Sequence, residues 1–392
     1  GRGLVADLNN EVVNSWAFDP LAHEPAQLHG YIRYMLMAFD LTNEFRVGDE
    51  TLLRFTRALE AQYLGNPYHC WRHGVDVCQT VYRFLKLAGG ELLFSQLELF
   101  ALLVAALGHD AGHPGLNNAY LVKTGHRLAL DHNDQSPLEN MHCVVIYDTL
   151  AREGHNVFEG LDRAEWAQAR KAVIACILGT DMMHHFQQIQ KLNVFFELNG
   201  HQFQRLGAGG ADDDYAPECL EADASNKLFL MEIFVHSADI SNPVKPFSIC
   251  KKWAELIMEE FFQQGEKEAA GGLDISPMMD RATTNKPNMQ MGFLEFVVSP
   301  LYAGVVKLFP TLSPCVENLS NNYRQWAKLK IAEIQNDEKL ENKDDELATV
   351  QGKVEAFTKK MGEVMKAGGS GRQESSLISA RRRSRIKSEA KK

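Results

Sequence analysis

Hydrophobic residues recur every three or four positions along most of the chain, the spacing that places them on one face of an α-helix. Two such sets are Leu52, Leu53, Phe55, Leu59 and Tyr63, and Trp253, Leu256, Ile257, Phe261 and Phe262. Alternating runs of β-branched residues between turn residues, the pattern of a strand, are hard to find. The sequence therefore predicts an all-α protein.

Glycine and proline divide this pattern into segments of about ten to twenty residues. The breaks fall at Gly65-Asn66-Pro67, Gly89-Gly90, His113-Pro114-Gly115, Gly207, Gly271-Gly272 and Pro310. Residues 207–226 and 263–290 are predicted to be long loops. Residues 1–14 are interpreted as a linker from an upstream module, because the chain begins with Gly-Arg-Gly. Residues 15–365 are expected to form one folded domain, followed by a tail.

The tail, residues 366–392, differs from the rest of the chain in charge. It holds nine of the 41 basic residues and two of the 51 acidic ones, so it carries +7 and residues 1–365 carry −17. A domain this acidic is not expected to bind nucleic acid or anionic lipid through its whole surface. The tail is predicted to be disordered because it has little apolar surface to bury. Its Arg381-Arg382-Arg383-Ser384 run suggests an anionic partner or a phosphorylatable serine, and a solvated terminus is the simpler interpretation.

Seven cysteines without a CxxC pair indicate a reducing compartment and argue against a zinc site built from thiolates. Two predicted apolar helices instead end in histidine and aspartate. Residues 99–107 lead into His109-Asp110, and residues 229–235 lead into His236 and Asp239. An unpaired carboxylate inside a protein costs several kcal/mol, which a divalent cation would offset.

A histidine pair adds to these candidates. His69 and His73 follow Asn66-Pro67, a pattern typical of a helix start, so both are predicted to lie on one face of that helix. Such a pair alone is more often a surface or core feature. With the two His/Asp helix ends it predicts a nitrogen and oxygen site for Zn, Fe, Mn or Mg, and a buried polar network is the alternative.

Seven motifs follow one another in a recognisable order over residues 68–293. They are Tyr68-His69-x3-His73, His109-Asp110-x2-His113-Pro114-Gly115, Asn133-Asp134, Thr180-Asp181-Met182, Ala238-Asp239-Ile240-Ser241-Asn242-Pro243, Glu259-Glu260-Phe261-Phe262 and Gln290-x-Gly292-Phe293. This order resembles the HD-type metal phosphohydrolases and, more closely, the catalytic domain of the class I 3′,5′-cyclic nucleotide phosphodiesterases. The resemblance implies a compact multi-helix catalytic domain over residues 15–365 with a deep pocket for two metal ions.

The resemblance also implies roles for individual residues. The ligands of a tightly held ion, usually zinc, would be His73, His109, Asp110 and Asp239. Asp110 would also bridge to a second ion, Mg²⁺ or Mn²⁺, and a hydroxide between the two ions would be the nucleophile. His69 would be the general acid that protonates the leaving O3′, oriented by Glu260. His113 and Glu139 would hydrogen-bond to metal-bound waters.

For the nucleotide base, the resemblance implies a hydrogen bond to Gln290 and a clamp between Phe293 on one side and Ile257 and Phe261 on the other. By spacing alone, Ile257 and Phe261 would be ordinary core residues. The other implied substrate-binding residues are Tyr68, Asn242 and Met182. Cys250 stands where a tyrosine or glutamine often anchors the glutamine amide, and a thiol is a weak partner, so the amide is expected to rotate and accept either purine.

We therefore expect hydrolysis of cyclic nucleotides to 5′-monophosphates, with cGMP preferred and cAMP also accepted. The residues around Tyr68 and Gln290 are similar to those of cGMP-hydrolysing members, whereas Asn242 is similar to cAMP-preferring ones, so a cAMP-preferring enzyme is the alternative. Cys70 and Gly112 depart from the family pattern, where Asn and Asp are usual, and are expected to lower activity without removing a metal.

Two further functions compete with this one. A deoxynucleoside triphosphate hydrolase would need basic residues near the metals, and that region is poor in them. A catalytically weak cyclic-nucleotide-binding regulatory module would be expected to lack a ligand or His69, and all are present. The resemblance further suggests a cytosolic domain, free or tethered to a membrane through an upstream module, and a homodimer.

Overall fold

Helices are the regular elements of residues 9–203 and 215–389, which this computed structural model describes, with the backbone alone from residue 367 onward. The first α-helices are α1 (Asn10–Val13), α2 (Pro25–Met37), α3 (Leu41–Glu44), α4 (Asp49–Glu60), α5 (Trp71–Ala88), α6 (Gly90–Leu93), α7 (Gln96–Gly108), α8 (Asn118–Lys123), α9 (Arg127–Asp131), α10 (Pro137–Leu150) and α11 (Arg163–Leu178). Across the described residues there is no β-strand, and the all-α prediction is confirmed.

The remaining α-helices are α12 (His185–Phe203), α13 (Glu218–Ala222), α14 (Ala224–Asp239), α15 (Phe247–Ala270), α16 (Lys286–Gly292), α17 (Ser299–Leu308), α18 (Ser313–Asn336) and α19 (Lys343–Glu389). Short 3₁₀ helices occupy Pro20–Ala22, Met182–His184, Asn242–Val244 and Pro310–Leu312, and a π-helix occupies Phe293–Val298. The helical stretch Lys286–Leu308 is long and apolar enough to cross a bilayer, but more than half of its most apolar part is buried in the protein, as in a core helix.

Helix α7 lies at the centre of the core and packs against α5, α11 and α14. Every residue from Leu99 to Gly108 is buried, as predicted for this apolar run. Ser95 caps the first turn and forms a capping box with Glu98, which satisfies backbone N–H groups that would otherwise lack partners. The helix ends directly at His109, so its burial places that imidazole inside the protein.

Two glycines let the helices around α7 come close together. A Cβ atom on Gly74 of α5 would lie 2.6 Å from the Tyr63 hydroxyl and 2.7 Å from the Leu107 carbonyl oxygen. A Cβ atom on Gly108 would overlap the Ile146 side chain. Gly74 follows His73, and Gly108 precedes His109. The absence of side chains at these glycines therefore permits the packing that brings the two histidines together.

Helix α15 is longer than the sequence indicated. It continues to Ala270, so the predicted loop over residues 263–290 is reduced to residues 271–285. The loop is tied back to the helix, because the Glu268 carboxylate accepts hydrogen bonds from the Ser276 N–H at 2.6 Å and its hydroxyl at 2.7 Å. Part of the other predicted loop, residues 207–226, is also helical in α13, and its residues 207–214 lie outside the described residues.

Both ends of the predicted domain differ from the sequence boundaries. Val13 of α1 is fully buried, and Gln79 donates to the Val13 carbonyl at 2.9 Å, so the folded unit includes part of the predicted linker. At the other end, the backbone of α19 is helical to Glu389, through most of the tail predicted to be disordered. This stretch has no proline to interrupt the helical hydrogen bonds that continue from the preceding turns.

We expect Gly74→Ala to lower the free energy of unfolding by about 1–3 kcal/mol, because overpacking at a tight helix contact is destabilising. Gly352→Ala is a matched control, since a Cβ there meets nothing within 4 Å and alanine should stabilise that helix by about 0.5–1 kcal/mol. Urea unfolding followed by circular dichroism measures both. A Gly74→Ala protein as stable as the parent would contradict the close approach of α5 and α7.

Candidate active site

Four side chains from three helix ends converge on one point. His73 lies in the first turn of α5, His109 and Asp110 follow α7, and Asp239 is the last residue of α14. One nitrogen or oxygen atom from each lies within 4.8 Å of the others. The His73 Nε2 atom is 3.0 Å from Asp239 Oδ1, and the His109 Nε2 atom is 3.0 Å from Asp110 Oδ2.

The hydrogen bonding of His109 indicates what this cluster requires. The Nδ1 atom of His109 lies 2.9 Å from the Ala106 carbonyl oxygen, so it carries a proton and donates it. In the neutral imidazole, Nε2 then presents a lone pair to the Asp110 and Asp239 carboxylates. Lone pairs facing carboxylates repel one another unless a cation lies between them, so these four donors fit a divalent metal ion.

The ionisation of the two carboxylates agrees with this assignment. A proton on His109 can supply the positive charge in place of a metal ion: the two carboxylates hold the pKa of His109 well above its usual range, and the protonated ring outweighs burial and lowers the pKa of both Asp110 and Asp239. The sequence-predicted ligands are therefore brought together by the fold in an anionic group suited to a cation.

The predicted water-binding residues lie next to the cluster. Burial and the nearby Asp181 raise the pKa of Glu139 to about 7, and its carboxylate accepts a hydrogen bond from the Asn118 amide at 2.9 Å. The His113 ring stacks on the His69 ring with 3.8 Å between centroids. Burial and the charge of His69 hold the pKa of His113 well below its usual range.

Sequence reasoning missed His142. Its Nε2 atom lies 3.6 Å from Asp110 Oδ1, and its Nδ1 atom donates to the Ala111 carbonyl oxygen at 2.8 Å. Burial lowers the pKa of His142 to about 4, so it is neutral. The sequence did offer a signal for it: His142 follows the predicted site residue Glu139 by three positions, which places both on the same face of α10.

The candidate general acid, His69, lies outside the helix in which it was predicted, and Glu260 holds it there. Helix α5 begins at Trp71, so His69 precedes it and does not share a helix face with His73, contrary to the prediction. The Glu260 carboxylate accepts hydrogen bonds from the backbone N–H of Tyr68 at 2.9 Å and of His69 at 3.0 Å, and it also contacts the His69 Nδ1 atom. These bonds hold the segment in a non-helical conformation.

Asn66 likewise does not cap the helix. Its side-chain amide donates to the carbonyl oxygens of His69 at 3.0 Å and of His113 at 2.6 Å, linking two segments of the site. Burial by itself would lower the pKa of His69, but the charges of Glu260 and Asp110 and the hydrogen bond to Glu260 raise it to about 9. His69 is therefore a cation at neutral pH.

A cleft of about 1120 Å³ is lined by His69, Asp110 and Asp239 and by the predicted base-binding residues. It is lined by all seven predicted substrate contacts: Tyr68, Met182, Asn242, Ile257, Phe261, Gln290 and Phe293. Gln290 is almost fully buried, whereas Met182 is 44% exposed. Ile257 and Phe261, one turn apart on α15, line the cleft, so they are not simply core residues.

The Gln290 amide has no hydrogen-bond partner among the protein groups that the structure describes. Cys250 also lines the cleft, and burial raises the pKa of its thiol to about 12, so it stays protonated. No described side chain therefore fixes the Gln290 amide in one orientation. Either its carbonyl or its amino group is available to a ligand.

The structure explains one of the two departures from the family pattern. The backbone at Gly112 has φ +85°, a conformation that favours glycine, and a Cβ atom there would lie 2.9 Å from the Met141 sulfur. An aspartate would be strained at this position. Cys70 occupies the position before the first residue of α5, and its carbonyl oxygen accepts the His73 N–H at 2.9 Å, a bond that any residue could make.

Comparison with known proteins agrees with these motifs. The family model described as 3′5′-cyclic nucleotide phosphodiesterase matches residues 68–319. The mouse high affinity cGMP-specific 3′,5′-cyclic phosphodiesterase 9A is 30% identical over 348 residues, which are 89% of this chain and 60% of that protein. The rat 3′,5′-cyclic-AMP phosphodiesterase 4C is 33% identical over 329 residues, 82% of this chain and 59% of that protein. The chain thus spans about 60% of the length of these relatives.

Solved structures show the same fold. The phosphodiesterase domain of the Salpingoeca rosetta rhodopsin phosphodiesterase superimposes with a TM-score of 0.75 and 30% identity, covering 86% of this chain and 98% of that one. LmjPDEB1 in complex with IBMX gives a TM-score of 0.71 and 29% identity, covering 81% of this chain and 92% of that one. The expected helical HD-type architecture is confirmed.

We expect protein purified without added metal to keep a divalent ion through dialysis, and Asp239→Ala to lose it. Removing a ligand should weaken binding by more than the roughly 10–100-fold that follows loss of an outer partner. Metal content measured by mass spectrometry tests this. His29→Ala is the control, because His29 is a buried histidine paired with Glu60 outside the cluster. Equal metal content in all three proteins would contradict the assignment.

Proposed function

Because this chain belongs to the 3′,5′-cyclic nucleotide phosphodiesterase family, we propose that it hydrolyses 3′,5′-cyclic nucleotides to 5′-nucleoside monophosphates. The single observation that carries this proposal is the position of His69. This cationic imidazole is held by Glu260 in the cleft that is also lined by Asp110 and Asp239, two of the four converging metal-ligand side chains. A proton donor beside a cation site is the combination that cleavage of a phosphodiester requires.

The donor set favours zinc at the cluster of His73, His109, Asp110 and Asp239, since imidazole nitrogens suit zinc better than magnesium. We infer that Asp110 would also help to hold a second ion, Mg²⁺ or Mn²⁺, and that Glu139, His113 and His142, which line the same cleft, would hydrogen-bond to its waters. When bound, the two ions would activate a water and withdraw charge from the phosphate.

The proton for the leaving group comes from His69. Its Nδ1 atom faces Glu260, which leaves the Nε2 hydrogen directed away from that carboxylate. The nucleophile would be hydroxide, formed when a water releases a proton to solvent; as its oxygen bonds to phosphorus and the P–O3′ bond breaks, Nε2 donates its proton to O3′. Solvent then reprotonates the imidazole, and Glu260 keeps the ring oriented throughout.

For the base, we propose that cGMP is preferred and cAMP is also hydrolysed. The unanchored Gln290 amide supports acceptance of both, since it can present a donor or an acceptor. The sequence around Tyr68 and Gln290 supports the preference for cGMP. A cAMP-preferring enzyme is the second candidate, which is favoured by Asn242 because this residue is similar to that of cAMP-preferring members. The relatives named above include a cGMP-specific and a cyclic-AMP enzyme.

We further propose that the domain works in the cytosol, as part of a longer protein with an upstream regulatory or membrane module, and that it forms a homodimer. The reducing environment indicated by seven free cysteines supports the cytosol. The chain covers about 60% of the length of these relatives, and this partial coverage supports the proposal of additional modules. Size-exclusion chromatography with light scattering would test the dimer.

The proposal predicts metal-dependent turnover of both nucleotides. We expect the kcat/KM for cGMP to exceed that for cAMP, and a chelator to abolish both activities until metal is restored. Release of 5′-GMP and 5′-AMP by chromatography measures this. Turnover that survives the chelator would exclude the metal mechanism, and a higher kcat/KM for cAMP would show that the base preference is the reverse.

The role of His69 predicts a specific pH dependence. The acid must be protonated, so activity should be present below its pKa and lost as the pH rises through about 9. His69→Ala should reduce kcat by about 10²–10⁴-fold. Glu260→Gln removes the charge that raises this pKa, so the fall in activity should move to lower pH.

Glu259→Gln is the matched control for the pH profile. Glu259 adjoins Glu260 on α15 but pairs with Arg281, at 2.6 Å, instead of His69. Its profile should match that of the parent protein. The assignment of His69 would be wrong if His69→Ala retained full activity, and that of Glu260 if both glutamine variants had the parent profile.

A further inference from the structure

A buried ion pair lies behind the cleft and reaches it through Asn242, one of the residues that line it. Asp76 of α5 and Lys245 are both fully buried, and the Lys245 ammonium donates to Asp76 Oδ1 at 2.6 Å. The second oxygen, Asp76 Oδ2, accepts a hydrogen bond from the Asn242 amide nitrogen at 3.3 Å. The Asn242 carbonyl oxygen in turn accepts from the Tyr68 hydroxyl at 2.6 Å. Asn242 and Tyr68 both line the cleft.

These partners determine which way the Asn242 amide faces. The Lys245 ammonium can only donate, and the Asp76 carboxylate can only accept, so Asp76 requires a donor on its other side as well. Turning the amide over would set the Asn242 oxygen against a carboxylate oxygen. The Tyr68 hydroxyl can donate or accept and would adapt to either orientation. Asp76 is therefore the group that sets the orientation.

The backbone around Asn242 is held independently of this pair. Asn322 of α18 donates to the carbonyl oxygens of Pro243 and Lys245, both at 2.7 Å. Asn318, one turn earlier, donates to the Val244 carbonyl oxygen at 2.9 Å. Because α18 fixes the main chain, only the Asn242 side chain could still rotate, and its contact with the ion pair prevents that rotation.

The orientation of a carboxamide matters to a purine. Adenine presents an amino donor beside the N7 acceptor, whereas guanine presents two acceptors, O6 and N7. Turning an amide over exchanges its donor and its acceptor, which changes the base edge that it complements. A fully buried ion pair contributes little net stability compared with apolar residues, so its contribution to folding does not account for its presence.

We propose that Asp76 and Lys245 are positioning residues that fix the Asn242 amide and thereby set the preference of the pocket between adenine and guanine. This inference rests on the proposed function, since it concerns the selectivity of the same cleft. The measured quantity is the ratio of kcat/KM for cAMP to kcat/KM for cGMP, which a uniform loss of active protein does not change.

Asp76→Asn is the informative substitution. The oxygen of the new amide should face the Lys245 ammonium, which leaves its NH₂ group facing Asn242. Asn242 must then turn its own oxygen toward position 76, so its orientation is reversed. We expect the ratio to change by about fivefold or more, the discrimination that a single well-placed amide contact gives.

Adding Lys245→Met to Asp76→Asn provides the rescue. Without the ammonium, the amide at position 76 is free to present its oxygen to Asn242 again, and no buried charge is left unpaired. We expect the ratio to return toward the parent value. A purely structural role predicts the opposite, because a second core substitution would not restore selectivity.

Gln79→Met is the matched control. Gln79 is a fully buried polar residue one turn from Asp76 on α5, and its amide donates to the carbonyl oxygens of Val13 and Ser15, not to the pocket. Its loss should lower the melting temperature and leave the ratio unchanged. Melting curves of every variant confirm that folded proteins are compared.

Each outcome decides between the hypotheses. If Asp76→Asn lowers both kcat/KM values by one factor, or if the double variant keeps the ratio of the single one, the positioning role is wrong. If Asp76→Asn does not fold, Asp76→Leu with Lys245→Met removes the anchor without an unpaired charge, and an unchanged ratio there overturns the inference. A parent protein that hydrolyses neither nucleotide overturns the proposed function itself, whereas an active enzyme with insensitive selectivity overturns this inference alone.

Discussion

The structure depends on one unfavourable arrangement, the meeting of two carboxylates and two imidazole nitrogens inside the protein. The buried carboxylates of Asp110 and Asp239 lie 3.0–3.2 Å from ring nitrogens of His73 and His109, and they stay ionised there only if a positive charge, a proton or a metal ion, lies among them. To bring these groups within reach of one ion, α5, α7 and α14 must begin or end at the same place. The glycines beside the two histidines are the local sequence feature that allows it.

Around this group the protein separates histidines of similar chemistry into different charge states. His69 stays protonated because its carboxylate neighbours raise its pKa, whereas burial keeps His142 neutral. The stacked His113 is neutral because it is buried and because His69 beside it is already charged. Groups with opposed pKa shifts in one cleft are typical of an acid and its supporting residues. The acidic character of residues 1–365 does not exclude an anionic substrate, because bound cations reverse the local field.

Sequence periodicity was sufficient for the fold class and the buried helix α7, and the family resemblance was sufficient for the set of side chains that converge. They were insufficient where a distant residue decides the local conformation. His69 lies outside the helix because Glu260, 191 positions later, binds its backbone N–H. The loop after α15 is shorter than expected because α15 continues to Ala270, and its tie to the helix through Glu268 and Ser276 leaves no periodic signal. His142 was missed although its spacing from Glu139 offered a signal, whereas the role of Lys245 becomes visible only once its buried partner Asp76 is known.

Tyr68 connects the two tasks of the cleft. Its backbone N–H donates to Glu260, the carboxylate that orients the proton donor, and its hydroxyl donates to Asn242, the amide that Asp76 holds. Its ring also lies 4.5 Å from the ring of His73, centroid to centroid. A shift of Tyr68 toward either side therefore displaces groups on the other. In the function we propose, proton donation and base recognition would thereby be coupled through one buried side chain, so substitutions in the base pocket should be examined for effects on kcat as well as on selectivity.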